Sequence, residues 1–345
     1  MNAGLVLYYQ KTDATCMALG LAKRLQELGY SIEILSRDKP QPITATWDRH
    51  VRHGKVHYQD WLKKLKPSFL IFGEPPTSEL VQTARSEGCI CYLTCLWEEL
   101  TKDDAATLHL FDKLICPSRN AQKLLQEKLE LNNTVYVPWD PGIPITRRHH
   151  PVDSHHIGIY WPITGSQCFH QEPDAIRAVE AAMRHNEALY LTVSYASSMP
   201  SSAVKELRQL AADFDDRVEL LKNLSWDKEQ LLYGRHDLTI WPSLIEGIGL
   251  VGLSSIYMGS PVLAFDHPLV GEIIRDGRNG LLVPCNLNYN WLRVPYVVAD
   301  YKAFGEKLSQ VTGDPLRLVQ LRESVTHGLL QRRETYNSIL GELFA

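Results

Sequence analysis

The sequence predicts an α/β protein built on two doubly wound parallel sheets, and three observations carry that expectation. Apolar runs of strand length alternate with segments of helical periodicity almost from end to end, the pattern of parallel sheets covered on both faces. The alternation is interrupted near the middle by a proline-bearing stretch, "WDPGIPITRRHHPVDSHH", with little apolar periodicity. At 345 residues the chain is long for one hydrophobic core and suits two domains of ordinary size.

In the first half, "GLVLYY" reads as a strand and "ATCMALGLAKRLQELGY" as the amphipathic helix that follows it. "SIEILS" is the next strand. After a less regular stretch come "PSFLIFG", a helix from about Thr77, the strands "CICYLTC" and "FDKLICPS", the helix "NAQKLLQEKLEL" and the strand "NTVYVP". The second half repeats the plan with "IGIYW", a helix from about Glu172, "LYLTVSY", a helix from Ser201 and "RVELLK". It continues through "DKEQLLYGR", "DLTIWPS", a glycine-bearing helix, "PVLAF" and "GLLV", and ends in long helical periodicity. The expected organisation is residues 1–145 as one domain, 146–154 as linker, 155–313 as a second domain and 314–345 as a helical segment returning to the first.

Composition narrows the functional classes. Thirty-six Lys and Arg against 40 Asp and Glu give a net charge of −4, without a run of like charges that would draw in a polyanion. No apolar segment reaches transmembrane length and the N-terminal run is strand-like, so the expectation is a soluble cytoplasmic protein. The seven cysteines, at 16, 89, 91, 95, 116, 168 and 285, fall mostly within apolar runs and none pairs with His at zinc spacing. "CICYLTC" reads as buried strand positions rather than a thiol site.

In open parallel sheets, ligands bind beyond the carboxyl ends of the strands, where loops meet helix N-termini. Ser243 to Gly249 occupies such a place, after "DLTIW". A helix opening near Gly249 directs N–H groups and the positive end of its dipole outward, which suits a phosphate or a polarised sugar oxygen. Gly247 and Gly249 allow close backbone approach, and Glu246 offers a carboxylate to hydroxyls or to developing positive charge. The plainer reading, in which the glycines turn the chain and Glu246 caps the helix, accounts for the same residues. On the other half, Lys11 and Asp13 in "YYQKTDAT", Glu74 in "FGEPP", and Trp97 and Glu98 in "CLWEEL" each follow a strand and are acceptor-side candidates. For each carboxylate a cap or a solvated charge is the alternative, and for Trp97 it is packing. "RRHH" and "SHH" have neither helical i, i+4 spacing nor a Cys set, so zinc is not expected there.

The stretch "PSLIEGIGLVGLSSIYMGSPVLAFDHPLVGEIIRDGRNGLLVP" resembles the donor-site signature of glycosyltransferase family 4, the GT-B enzymes that use nucleotide-activated sugars. Weaker similarity runs through "DDRVELLKNLSWDKEQLLYGRHDLTIWPS" and "FDKLICPSRNAQKLL". The resemblance implies a GT-B fold, with two Rossmann-like domains facing across a cleft. It places Glu246 on the transferred sugar as the catalytic residue, and Gly247, Ile248, Gly249 and Leu250 at the donor. Ser254 stands where the family commonly has a second glutamate for the ribose. Ser166 and Gln171 stand where it has a diphosphate-gripping Arg and Lys.

The activity so implied is retaining, metal-independent transfer of a sugar from a nucleotide sugar to a hydroxyl acceptor, which is a saccharide, a small molecule or a modified DNA base. No cofactor beyond the co-substrate and no divalent metal is expected. Two alternatives stay open: a GT-B enzyme acting on a modified base in phage-type DNA, and a binding protein that kept the fold and lost catalysis. The oligomeric state is not legible.

Overall fold

The computed structural model describes residues 2–7, 13–37, 51–52, 57–98, 100–147, 152–163 and 172–344. They form two compact units: Met1–Gly142 with Trp291–Val294 and Gln331–Ala345, and Ile143–Asn290 with Pro295–Leu330.

The first unit holds strands β1 (Asn2–Leu7), β2 (Ser31–Ser36), β3 (Val51–Arg52), β4 (Phe69–Phe72), β5 (Ile90–Thr94), β6 (Lys113–Cys116) and β7 (Thr134–Tyr136). They pair in the order β3-β2-β1-β4-β5-β6-β7, all in parallel. Burial on both faces explains why β4, "FLIF", is an unbroken apolar run rather than an alternating one. Helices α1 (Asp13–Glu27), α2 (Tyr58–Leu65), α3 (Ser78–Ser86), α4 (Lys102–Ala105) and α5 (Arg119–Leu129) complete the crossovers. Ser118 starts α5 by accepting a bond from the Ala121 N–H at 2.9 Å, the expected role of a serine at a helix N-cap. The cysteines of "CICYLTC" are buried, and burial pushes the Cys91 thiol up to about 12, so these are packing groups and not ready nucleophiles.

The C-terminal residues 331–344 pack within this unit. The ring of Phe344 lies 4.8 Å from that of Phe69 and 4.9 Å from that of Tyr92, while Tyr30 donates its hydroxyl to the Phe344 carbonyl. Arg333 reaches the buried Asp140 at 2.8 Å.

The second unit has β8 (Ile157–Ile163), β9 (Leu189–Tyr195), β10 (Val218–Lys222), β11 (Leu238–Trp241), β12 (Val262–Phe265) and β13 (Gly280–Val283), in the order β10-β9-β8-β11-β12-β13, again parallel. Its helices are α6 (Glu172–His185), α7 (Ser201–Phe214), α8 (Trp226–Arg235), α9 (Leu250–Tyr257), α10 (Val270–Ile273), α11 (Tyr301–Thr312) and α12 (Pro315–Ser324). The chain closes with α13 (Leu329–Phe344). A hairpin that the apolar pattern did not announce, β14 (Asn286–Tyr289) with β15 (Pro295–Val298), follows β13. One buried ion pair fixes α12 to the sheet: Arg322 Nη1 meets Asp237 Oδ1 at 2.8 Å, and Asp237 Oδ2 accepts the Gly158 N–H at 2.9 Å.

In both sheets the strand order reverses beside the first strand, between β1 and β4 and between β8 and β11. Such reversals open a crevice at the carboxyl ends of the two strands, because their crossovers leave in opposite directions.

Candidate functional site

Residues 242–249 leave the carboxyl end of β11 at the second unit's reversal and lead into α9. Trp241, the last residue of β11, organises the turn. Its indole Nε1 donates to Glu246 Oε1 at 2.6 Å, and both side chains are buried, Glu246 at 9 % exposure. A buried carboxylate without a donor would carry a large desolvation cost, so this bond fixes where the carboxylate sits. The Ser243 hydroxyl donates to the Ile245 carbonyl at 3.0 Å, and the Val297 N–H on β15 donates to the Leu244 carbonyl at 2.7 Å, which ties the turn to the hairpin.

The glycines answer to packing as well as to conformation. Gly249, the N-cap of α9, has φ 71°, in the left-handed region that L side chains resist. A Cβ there would stand 2.1 Å from Ile273 Cδ1 and 3.0 Å from Leu269 Cδ2. At Gly252 it would stand 2.4 Å from Trp241 Cζ3, so this glycine is the seat of the indole ring. With glycine at its N-cap, α9 begins without a side-chain cap. The first N–H groups of a helix have no partner within it, so this start presents donors and a positive dipole end beside Glu246.

The wall behind Gly249 is held by His267, which is fully buried. Its Nδ1 accepts the Leu269 N–H at 3.2 Å, which leaves Nε2 as the protonated nitrogen donating to the Pro295 carbonyl at 3.0 Å. Burial lowers the imidazole pKa below its ordinary value, against the opposing pull of the Pro295 carbonyl and Asp266.

Glu246, Gly247, Ile248, Gly249 and Leu250 are thus gathered in one buried turn. Ser254 lies further along α9, at 0 % exposure, with Gln230 Nε2 of α8 at 3.5 Å from its Oγ. Ser166 and Gln171 lie outside the described residues, in the connection that leaves β8, the strand beside β11. In the first unit, Glu74 follows β4 at that sheet's reversal and is half-buried. The strand exit beneath it is pinned by Thr94 Oγ1, which donates toward the Gly73 carbonyl at 2.9 Å. Trp97 is buried at 1 % exposure and Glu98 is half-buried, both just after β5. Asp13 is the first residue of α1, and Lys11 lies outside the described residues. Among the described residues no three His, Cys, Asp or Glu side chains are grouped as metal ligands, and no helix is long and apolar enough to cross a membrane.

Sequence reading passed over Trp241, Gly252 and Gln230. A tryptophan ending a strand five residues before the glutamate, and a glycine inside the following helix, were the available signals for the first two.

Two parallel, doubly wound units in one chain, with a glycine-capped helix at the second switch point, define the fold as GT-B. Residues 172–291 match the family model described as Glycosyl transferases group 1. A D-inositol 3-phosphate glycosyltransferase of Nocardia farcinica is 30 % identical over 125 residues, covering 34 % of this chain and 28 % of that protein. The chain therefore matches less than a third of that curated relative. Among solved structures, Anabaena Alr3699/HepE in complex with UDP and glucose is similar with a TM-score of 0.77 at 13 % identity, over 99 % of each chain. Sucrose-phosphate synthase of Thermosynechococcus elongatus gives 0.72 at 14 % identity, over 100 % of this chain and 98 % of that one.

Proposed function

We propose that this protein is a cytoplasmic glycosyltransferase that moves a sugar from a nucleotide-activated donor to a hydroxyl acceptor, with retention and without a divalent metal. The observation that carries the reading is the buried Glu246 carboxylate, held by Trp241 Nε1 at 2.6 Å beside helix α9, which starts at a glycine N-cap and has no side-chain cap. The match of residues 172–291 to Glycosyl transferases group 1 includes the whole of this turn.

In this reading the donor diphosphate lies at the start of α9. Backbone N–H groups there stabilise the charge that grows as the diphosphate leaves, and they need no reorganisation at the moment of reaction. Glu246, fixed by the indole, accepts hydrogen bonds from the sugar and faces the positive charge that develops at its anomeric carbon. The bond from that carbon to the diphosphate breaks, the acceptor oxygen bonds to the same face, and the acceptor proton passes to the departing phosphate. The reaction then asks of the protein chiefly orientation and electrostatics.

The rival reading, a binding protein without turnover, draws on Ser254, a short neutral side chain fully buried along α9. A thermal-shift panel of nucleoside diphosphates and their sugars, followed by assay of nucleotide release, tests the proposal. A ligand at 100 times its Kd stabilises by about 2.7 kcal/mol, enough to be seen. Binding with turnover supports the enzyme, whereas binding with no turnover across saccharide, small-molecule and DNA acceptors supports the rival.

A further inference from the structure

A groove of about 1130 Å³ lies wholly within the second unit, along the seam where α6 and α11 pack side by side. Its lining takes in none of the described residues 243–250, so it is distinct from the turn that carries Glu246. The floor is low because small residues make it. Gly305 of α11 sits so close to α6 that a Cβ there would stand 2.9 Å from the Ala178 carbonyl oxygen, and Ala181, exposed on α6, lines the groove without filling it. The rims are charged but neutralise themselves. On α6 Arg177 pairs with Asp174, and on α11 Lys302 faces Glu306 at 3.8 Å. One end opens onto the outer face of the hairpin, where the cross-strand pair Asn286 and Val298 lines the groove. Asn288 and Tyr296 are the next pair on that face. The burial of β15 fixes the orientation: Pro295 and Val297 are buried, while Tyr296 is 37 % and Val298 44 % exposed.

The chemistry of this lining selects its occupant. A phosphate or other polyanion gains little where both rim cations already face carboxylates and Asp300 at the start of α11 adds a further negative charge. An apolar partner helix would bury carboxylates, an ammonium and amides without giving them partners. A neutral saccharide meets neither objection. Its hydroxyls both donate and accept, which answers carboxylates, guanidinium and amides together, and its C–H faces can lie on the Tyr296 ring and on the low apolar floor. Ligand clefts commonly hold about 300–1,000 Å³, so this groove has room for more than one sugar ring.

We propose that the groove between α6 and α11 binds a neutral oligosaccharide, with Tyr296 as its stacking platform, at a site separate from the transfer site. The inner side of the same strand holds the Glu246 turn: Val297 N–H donates to the Leu244 carbonyl at 2.7 Å, and His267 Nε2 donates to the Pro295 carbonyl at 3.0 Å. A saccharide gripped here is therefore retained on the unit that carries the candidate donor site. The test is titration calorimetry on the full chain, without nucleotide, using maltotriose, cellotriose, mannotriose and chitotriose. At least one should bind with a Kd of about 1 mM or tighter. Ala181→Trp, which fills the groove from an exposed position, and Tyr296→Ala, which removes the platform, should each weaken that binding about tenfold or more. Tyr296→Phe keeps the ring and should keep most of the affinity, and Ala181→Trp should bind UDP, GDP or ADP as wild type does. Failure of all four trisaccharides to bind, or unchanged affinity in both Ala181→Trp and Tyr296→Ala, overturns the proposal. Trisaccharide binding that is lost in these variants, in a chain that binds no nucleoside diphosphate, supports the groove and overturns the donor reading alone.

Discussion

Replacing Trp241 with Phe isolates one atom of the site. The phenyl ring still occupies much of the seat that Gly252 leaves open, but the N–H that reaches Glu246 Oε1 at 2.6 Å is gone. A hydrogen bond to a charged group contributes about 1.5–3 kcal/mol. If Glu246 works by being held still, that loss falls on the transition state. At about 1.4 kcal/mol per factor of ten, kcat should drop roughly 10- to 150-fold. Nucleotide affinity should change little, because the backbone at Gly247–Gly249 is untouched. The assay is nucleotide release under donor saturation, with Tm measured in parallel to separate loss of folding from loss of rate. A Trp241→Phe enzyme that is destabilised yet turns over at the wild-type rate would refute the positioning role.

Three further perturbations follow from the same packing. Gly249→Ala adds a Cβ 2.1 Å from Ile273 Cδ1 at a residue with φ 71°, so strain and overpacking together should cost about 2–4 kcal/mol and weaken nucleotide binding, by denaturant midpoint and calorimetry. His267 has a folded-state pKa below its unfolded value, so the unfolded chain binds the extra proton first. Its contribution is present above the ordinary imidazole pKa of about 6.5 and is lost as pH falls below it, and His267→Gln should flatten that limb of the Tm profile. Arg322→Met leaves Asp237 buried with only the Gly158 N–H for a partner and should cost about 3–5 kcal/mol, while Arg322→Met with Asp237→Asn should recover part of the loss.

Much of the fold was legible because parallel strands buried on both faces are written as apolar runs, as "FLIF" and "LTIW" show. The opening of a helix near Gly249 was legible for a similar reason, since a glycine after a strand and before an apolar run has few other uses. The hairpin Asn286–Val298 was not, because β14 has no buried residue and β15 alternates buried Pro295 and Val297 with exposed Tyr296 and Val298, so the pair imitates a loop. The less regular stretch after β2 hid the helix Tyr58–Leu65, which is only eight residues long. The site's inner structure was legible only in part. Glu246 and the glycines could be read in place, but the indole that holds the carboxylate depends on the missing Cβ of Gly252, a contact made in space. Likewise nothing in the sequence pairs Ser254 with Gln230, which α8 brings to 3.5 Å from its Oγ.

The central claim is that Glu246 acts on a sugar whose nucleotide is held by the start of α9, and Glu246→Gln tests it most directly. The change is nearly isosteric and the amide oxygen can still accept the Trp241 N–H, so the turn should survive. Turnover of the best nucleotide sugar found in the panel should fall by at least about 100-fold, the size of roughly 2.7 kcal/mol of lost transition-state stabilisation, while its Kd stays within a few-fold of wild type. Wild-type turnover in the Gln variant would contradict the account.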